Sequence, residues 1–277
     1  MSIEHVPQQI GFIGAGNMAS AIIGGLLDAG LAPDRICAAD PSEAAREALA
    51  ARGITAIAPA PSERFREVEL VVLAVKPQLM AGAVEDLKPH VAADCALMSV
   101  AAGISIASLQ SMIGHAQQPT VRCMPNTPAL VRAGASALYA SPEVDDAQRQ
   151  GIQSVMSVVG TVQWLTDEAQ IDMVTAVSGS GPAYFFAFME AMIAAGERMG
   201  LPHDITSQLT LQTALGAAKL AAESSDPIDE LRRKVTSPGG TTARALASFE
   251  RSGLSDVVDR GMEACLQRAR EMAEEFK

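Results

Sequence analysis

The sequence predicts a two-part protein: an N-terminal doubly wound α/β domain followed by an all-α domain. Three observations carry that expectation. Through the first half of the 277 residues, short apolar runs alternate with stretches of helical rhythm, as strands and helices do in a parallel sheet. The first apolar run, Ile10–Ile13, leads at once into a glycine-rich turn and a helix. After Leu165 the strand signal disappears, and the remainder reads as helix. The expected domains are therefore 1–165 and 166–277.

Composition narrows the classes. Hydrophobic residues make up 48% and aromatics only 4%, as in a helix-rich protein with a sizeable core. The net charge of −11 argues against a nucleic-acid backbone as partner. The opening M-S-I-E-H-V-P lacks the basic-then-apolar pattern of a signal peptide. The most apolar window, Ala176–Ala195, carries Ser178, Ser180, Pro182 and Glu190, so it reads as a buried helix rather than a membrane span. A cytoplasmic location is expected. Cys37, Cys95 and Cys123 lie in apolar runs and are expected as reduced core residues. The four histidines are scattered, and no metal site is expected.

The elements follow in order. Gly14-Ala15-Gly16-Asn17-Met18-Ala19 is the G-x-G-x-x-A form of the dinucleotide fingerprint, between a strand and a helix, and points to a Rossmann-type domain. Gly14 makes the turn, Gly16 admits a pyrophosphate, and Ala19 lets the helix close on the strand. The second strand, Arg35–Ala39, ends at Asp40. An acid there usually accepts the ribose 2′-hydroxyl of NAD and repels the 2′-phosphate of NADP. Arg46, a turn into the next helix, offers compensation. Equally, Asp40 starts that helix with Ser42 as its cap, so the choice between NAD and NADP stays open. Leu70–Ala74 is a near-continuously apolar strand ending in Val75-Lys76-Pro77. Lys76 thus falls at a strand's carboxyl end, where doubly wound sheets bind ligands. The strand Ala96–Val100 leads to Ala101-Ala102-Gly103, whose small side chains leave room for a nicotinamide ring, with Ser105 capping the next helix. Val121–Met124 leads into Pro125-Asn126-Thr127-Pro128, a loop stiffened by two prolines. Ala135–Tyr139 and Val162–Leu165 are candidate edge strands.

In the helical half, Ser178-Gly-Ser-Gly-Pro182 reads as the cap of a helix running to about Met199. That helix is apolar nearly all round, which suits a bundle centre or a second subunit. Further helices are expected over Ile205–Glu223, Ile228–Lys234 (Asp226 cap), Thr242–Ser252 (Gly253 stop) and Asp256–Glu274 (Ser255 cap). Between two of them, Val235–Glu250 reads V-T-S-P-G-G-T-T-A-R-A-L-A-S-F-E. The Pro238-Gly239-Gly240 break opens a hydroxyl-rich turn directly onto a helix N-terminus. Unpaired N–H groups and the helix dipole there suit a small carboxylate.

The run V-T-S-P-G-G-T-T-x-x-A-L-x-x-F-E resembles the signature of pyrroline-5-carboxylate reductase. V-S-G-S-G-P-A-Y (Val177–Tyr184), Met124-Pro-Asn-Thr-Pro128 and Ala74-Val-Lys-Pro77 are similar to further hallmarks, in order along the chain. The resemblance runs from Gly11 to about Ala269. It implies an NAD(P)H-dependent imine reductase that converts 1-pyrroline-5-carboxylate to proline, built as a homodimer or a higher oligomer of dimers. By resemblance, Ala74, Val75, Lys76 and Pro77 line the cofactor site with Ala101 and Ala102, and Asn126 lies near the nicotinamide, where it is expected to bind substrate. Glu168 matches an acid from which the family contacts its substrate. Asp40 is a departure, because many relatives place Ser, Thr or Asn-Arg there and often use NADPH.

The residues support this chemistry independently. Hydroxyacid dehydrogenases also join a dinucleotide-binding domain to a helical one, but their alcohol needs a proton relay, commonly a lysine on the helix after the Gly-rich turn. Ala183–Met199 contains neither lysine nor histidine. A protonated cyclic imine needs only hydride, so hydroxyls and backbone donors suffice. A nucleotide-sensing protein without turnover would keep Gly14–Ala19 but has no need of Pro238–Thr242. The expected substrate site is the N–H groups of Gly239, Gly240 and Thr241, with the hydroxyl of Thr242 as the catalytic group. Tyr184 is a weaker candidate donor, placed for packing.

Overall fold

The structure, a computed structural model, describes residues 4–276. Among them eight strands form one sheet: β1 (Ile10–Ile13), β2 (Ile36–Ala39), β3 (Ala56–Ala58), β4 (Leu70–Leu73), β5 (Ala96–Ser99), β6 (Thr120–Met124), β7 (Gly134–Ala140) and β8 (Gly160–Trp164). Their order is β3-β2-β1-β4-β5-β6-β7-β8. Strands β1 to β6 pair in parallel; β7 runs antiparallel to β6, and β8 runs parallel to β7. The chain reverses direction across the sheet between β1 and β4, which is the switch point where such folds bind ligands.

The apolar runs are continuous because each strand feeds two cores. On β4, Leu70 and Val72 join one cluster with Phe12, Ile22, Leu26 and Val155, while Val71 and Leu73 join another with Met80, Val84 and Leu109. Strand β5 does likewise, with Met98 to the first cluster and Leu97 to the second. Successive side chains point to opposite faces. Helices α1 (Asn17–Asp28) and α5 (Asp146–Ser157) supply the first cluster; α3 (Met80–Leu87) and α4 (Ile106–Ile113) supply the second. Helix α2 (Glu43–Ala50) follows β2 and contributes Leu49. One strand goes unforeseen and one expectation needs adjusting here. Strand β3 is too short and alanine-rich to stand out in sequence, and β7, expected at an edge, is internal with β8 outside it.

The chain divides into two compact units. The first runs to Ser180, past the boundary expected near residue 165, and takes up the chain again from Cys265. It includes α6 (Gln170–Val174), which packs on β6 and β7, and the wide helical turn Thr175–Gly179 that continues it. Ser178 therefore does not cap the next helix: its Oγ donates to Val174 O at 3.4 Å within that turn.

The second unit, Gly181–Ala264, is helical throughout its regular structure. It holds α7 (Gly181–Arg198), α8 (His203–Glu223), α9 (Ile228–Lys234), α10 (Thr241–Arg251) and the start of α11 (Leu254–Glu275). Helices α7 and α8 pack together, with Thr206 filling the space a side chain at Gly196 would need. Two expected caps are not caps. Asp226 lies before the Pro227 cap of α9 and pairs with Lys234, and Ser255 falls inside the first turn of α11. Much of the apolar surface of α7 and α8 stands open in the single chain: Phe185 is 68% exposed, Phe186 59% and Leu215 62%. Among the described residues no helix is long and apolar enough to cross a membrane.

Candidate active site

At the carboxyl end of β1 the backbone turns through Gly14 at φ +92°, with its N–H donating to Ala39 O at 2.8 Å. A Cβ on Gly14 would stand 2.7 Å from Ala74 O, so only glycine lets β1 and β4 open side by side. Gly16 is different: it caps α1 in an extended conformation, is exposed, and a Cβ there would meet no atom within 4 Å. Among the described residues nothing forbids a side chain at Gly16, but a phosphate held close against the backbone would. The first N–H groups of α1, on Asn17 and Met18, face that space without helical partners. Ala19 is fully buried against the sheet. The turn thus fits a dinucleotide.

Asp40 does more than start a helix. Its Oδ2 accepts the Ala15 N–H at 2.7 Å and its Oδ1 accepts the Ser42 N–H at 2.8 Å. The acid is fixed beside the glycine-rich turn, where a dinucleotide's adenosine ribose would lie. Arg46 donates through Nη1 to the carbonyls of Asp40 and Pro41, so it braces the backbone. Ser42 does cap α2, accepting from Ala45 N at 3.4 Å.

Beyond β4, Ala74 and Val75 are half-buried, Pro77 opens a short turn, and Lys76 is exposed with no ion-pair partner among the described residues. Beyond β5, Ala101 is buried and donates its N–H to Ser99 Oγ at 3.2 Å, while Ala102 is half-buried. Asn126 is buried, and both ends of its amide are engaged: Nδ2 donates to Ser178 O at 3.0 Å and Oδ1 accepts Ala135 N–H at 2.9 Å. Its visible work is to brace the loop after β6.

Glu168 is not a free solvated acid. Its Oε1 accepts the Ile106 N–H at 2.9 Å and lies 3.1 Å from Arg122 Nη1, while Arg122 Nη2 is 3.5 Å from Asp172 Oδ1. Arg122 is 5% exposed. Sequence reasoning missed this cluster, although one signal was available: a lone arginine inside the otherwise uncharged strand T-V-R-C-M.

In the second unit, Ser237-Pro-Gly-Gly240 forms a tight turn. Pro238 takes its second position, Gly239 its third at φ +72°, and Gly240 N–H donates to Ser237 O at 3.0 Å. A positive φ at the third position after proline demands glycine. This corrects one expectation: the Gly240 N–H is committed to the turn and is unavailable to a carboxylate. Gly240 itself is the N-cap of α10, without a side-chain capping bond. Thr242 is thus the second helical residue rather than the cap. The N–H groups of Thr241, Thr242 and Ala243 are the ones a helix start leaves unpaired. Both threonines are exposed.

A doubly wound sheet with a phosphate-fitting turn at its switch point, continued by an all-α unit, defines an oxidoreductase of the Rossmann-type, nicotinamide-dinucleotide class. Residues 9–103 match the family described as NADP oxidoreductase, coenzyme F420-dependent, and residues 168–272 match pyrroline-5-carboxylate reductase dimerisation. The chain belongs to the pyrroline-5-carboxylate reductase family. It is 48% identical to a pyrroline-5-carboxylate reductase of Pseudomonas aeruginosa over 97% of this chain and 98% of the relative. A solved pyrroline-5-carboxylate reductase from Coxiella burnetii matches with a TM-score of 0.91 at 37% identity, covering 96% of this chain and 98% of that one. A Plasmodium falciparum pyrroline carboxylate reductase, solved with NADP bound, matches with a TM-score of 0.81 at 28% identity and the same coverages.

Proposed function

We infer that this chain reduces 1-pyrroline-5-carboxylate to L-proline at the expense of NAD(P)H, the last step of proline biosynthesis. What carries the inference is whole-length identity of 48% and 42% to two bacterial reductases of that name. When bound, the dinucleotide supplies the hydride that reduces the carbon–nitrogen double bond of the protonated ring.

The chain's own residues bind and orient. Gly14, Ala15, Gly16, Asn17, Met18 and Ala19 hold the pyrophosphate, and Asp40 holds the adenosine ribose. Ala74, Val75, Lys76 and Pro77, with Ala101 and Ala102, form the rest of the dinucleotide site. The substrate carboxylate lies at the turn of Gly239 and Gly240 and takes hydrogen bonds from the first N–H groups of α10, beginning with Thr241. Thr242 places its hydroxyl on the ring nitrogen. Glu168 contacts the substrate through a carboxylate oxygen, and Asn126 shapes the loop beside the nicotinamide. No side chain need shuttle a proton to carbon, so holding the two reactants in line is the main contribution. A dimer, or an assembly of dimers, covers the apolar faces of α7 and α8, and the protein works in the cytoplasm.

The test is cofactor oxidation with pyrroline-5-carboxylate, run with NADH and NADPH in turn and with proline measured as product. Turnover with at least one cofactor is expected. If neither cofactor is oxidised in a substrate-dependent way, the assignment fails.

A further inference from the structure

Arg122 lies in the middle of β6, between buried Val121 and Cys123, with Ser99 of β5 and Tyr139 of β7 in register on either side. A charge at such a position is costly to desolvate, and an ion pair there often stabilises no more than an apolar replacement would. The cost is raised further because Arg122 Nε is buried without a hydrogen-bond partner among the described residues. Stability is therefore a poor reason for this side chain.

Its geometry offers a better one. Both contacts to Glu168, from Arg122 Nη1 and from the Ile106 N–H, fall on the same oxygen, Oε1. Among the described residues Oε2 accepts no hydrogen bond, and the Glu168 side chain is 29% exposed against 7% for Arg122. One carboxylate oxygen is thus gripped from two sides while the other is left unengaged on the part-exposed end. Asp172 takes the second branch of the guanidinium, so the fork is held by two acids at once. A planar, five-donor group can do this; a lysine ammonium, a point donor, cannot.

We propose that Arg122 is a positioning residue for the reduction, acting through Glu168: it fixes Oε1 so that Oε2 is presented to the substrate in one orientation. The proposal rests on the reading of the chain as a pyrroline-5-carboxylate reductase in which Glu168 touches substrate. The grip from Ile106 adds to it, because that N–H belongs to the first turn of α4, which Ser105 caps independently by accepting Ser108 N–H at 3.0 Å. Loosening Glu168 should therefore leave α4, and the dinucleotide site before it, in place.

The experiment compares wild type, Arg122→Lys, Glu168→Ala and the double variant at saturating NADPH, with thermal melts to confirm folding. Each single substitution is expected to lower kcat/KM for pyrroline-5-carboxylate by roughly tenfold or more, the scale of one hydrogen bond to a charged group. The dissociation constant for NADPH, from fluorescence titration, should stay within about twofold of wild type, since Ser105 still caps α4. Because Arg122 acts through Glu168, the double variant should be no slower than Glu168→Ala alone. Multiplying effects, or an Arg122→Lys enzyme with wild-type kcat/KM, would overturn the proposal. So would an Arg122→Lys loss carried by NADPH affinity. A wild-type protein without turnover would instead sink the functional reading on which the proposal stands.

Discussion

Thr242 occupies the second position of α10, behind a glycine cap, so its hydroxyl is not spent on holding the helix together. Thr242→Val keeps the shape and removes only that hydroxyl. If it bonds the ring nitrogen, the loss is about 1.5–3 kcal/mol, or roughly 10- to 150-fold in kcat/KM. Thermal stability should not change, because no cap is removed, and Thr241→Val should cost less because the proposed role of Thr241 runs through its backbone. Full turnover in Thr242→Val would refute the assignment. Asp40 carries a second expectation. Its carboxylate is pinned against the Ala15 and Ser42 N–H groups, and in the proposed dinucleotide site it is a fixed negative charge facing the 2′ position. Asp40→Ser should raise the NADPH-to-NADH efficiency ratio by roughly tenfold or more. An unchanged ratio would reduce Asp40 to a brace of the turn. The glycine-rich turn was legible in sequence because strand, glycines and helix are contiguous there. The Arg122–Glu168–Asp172 cluster was not, since its members lie on β6, the joint and α6, and meet only in the fold.

At the scale of elements, α7 sets the main expectation. All three of its phenylalanines stand exposed in the single chain: Phe188, which meets Phe249 edge-on at 6.4 Å between centroids, and more widely Phe185 and Phe186. A continuous apolar face of that kind marks an interface, and the match to a dimerisation family covers it. Light scattering should find a dimer or a multiple of it at all working concentrations, and Phe185→Asp should dissociate it and lower Tm. A folded, active monomer of the unaltered chain would contradict this. The main strands and long helices were readable because their periodicities are local, and α9 falls on its expected limits, Ile228–Lys234. What misled was capping: Ser178, Asp226 and Ser255 are all cap-type residues near a helix start. Each is placed elsewhere by contacts that periodicity does not contain: an i−4 bond, an ion pair with Lys234, and an earlier start of α11.

At the scale of the whole molecule, the buried thiols tie stability to pH. Burial pushes Cys37 and Cys95 from an ordinary value of 9.0 up to about 12, and Cys123 further up. Between about 9 and 12 the unfolded chain sheds thiol protons that the folded chain keeps, so stability falls as pH rises. The limiting slope is about 1.4 kcal/mol per thiol per pH unit. Urea midpoints should drop between pH 8 and pH 10, and less steeply in a Cys37→Ala/Cys95→Ala variant. Equal slopes would place the dependence elsewhere. The division of the chain has a consequence of another kind. The first unit is finished by residues that follow the second in sequence: Met272 and Phe276 pack beside Gly103, where even a Cβ would come within 3.1 Å of Met272. Closing so long a loop adds little entropy, which grows only logarithmically with length, but contacts this distant slow folding. During synthesis the ribosome must therefore deliver the whole helical unit before the nucleotide fold can be sealed. A nascent chain paused before Cys265 would carry an otherwise ordered sheet with one apolar seam still open, the kind of surface a chaperone holds.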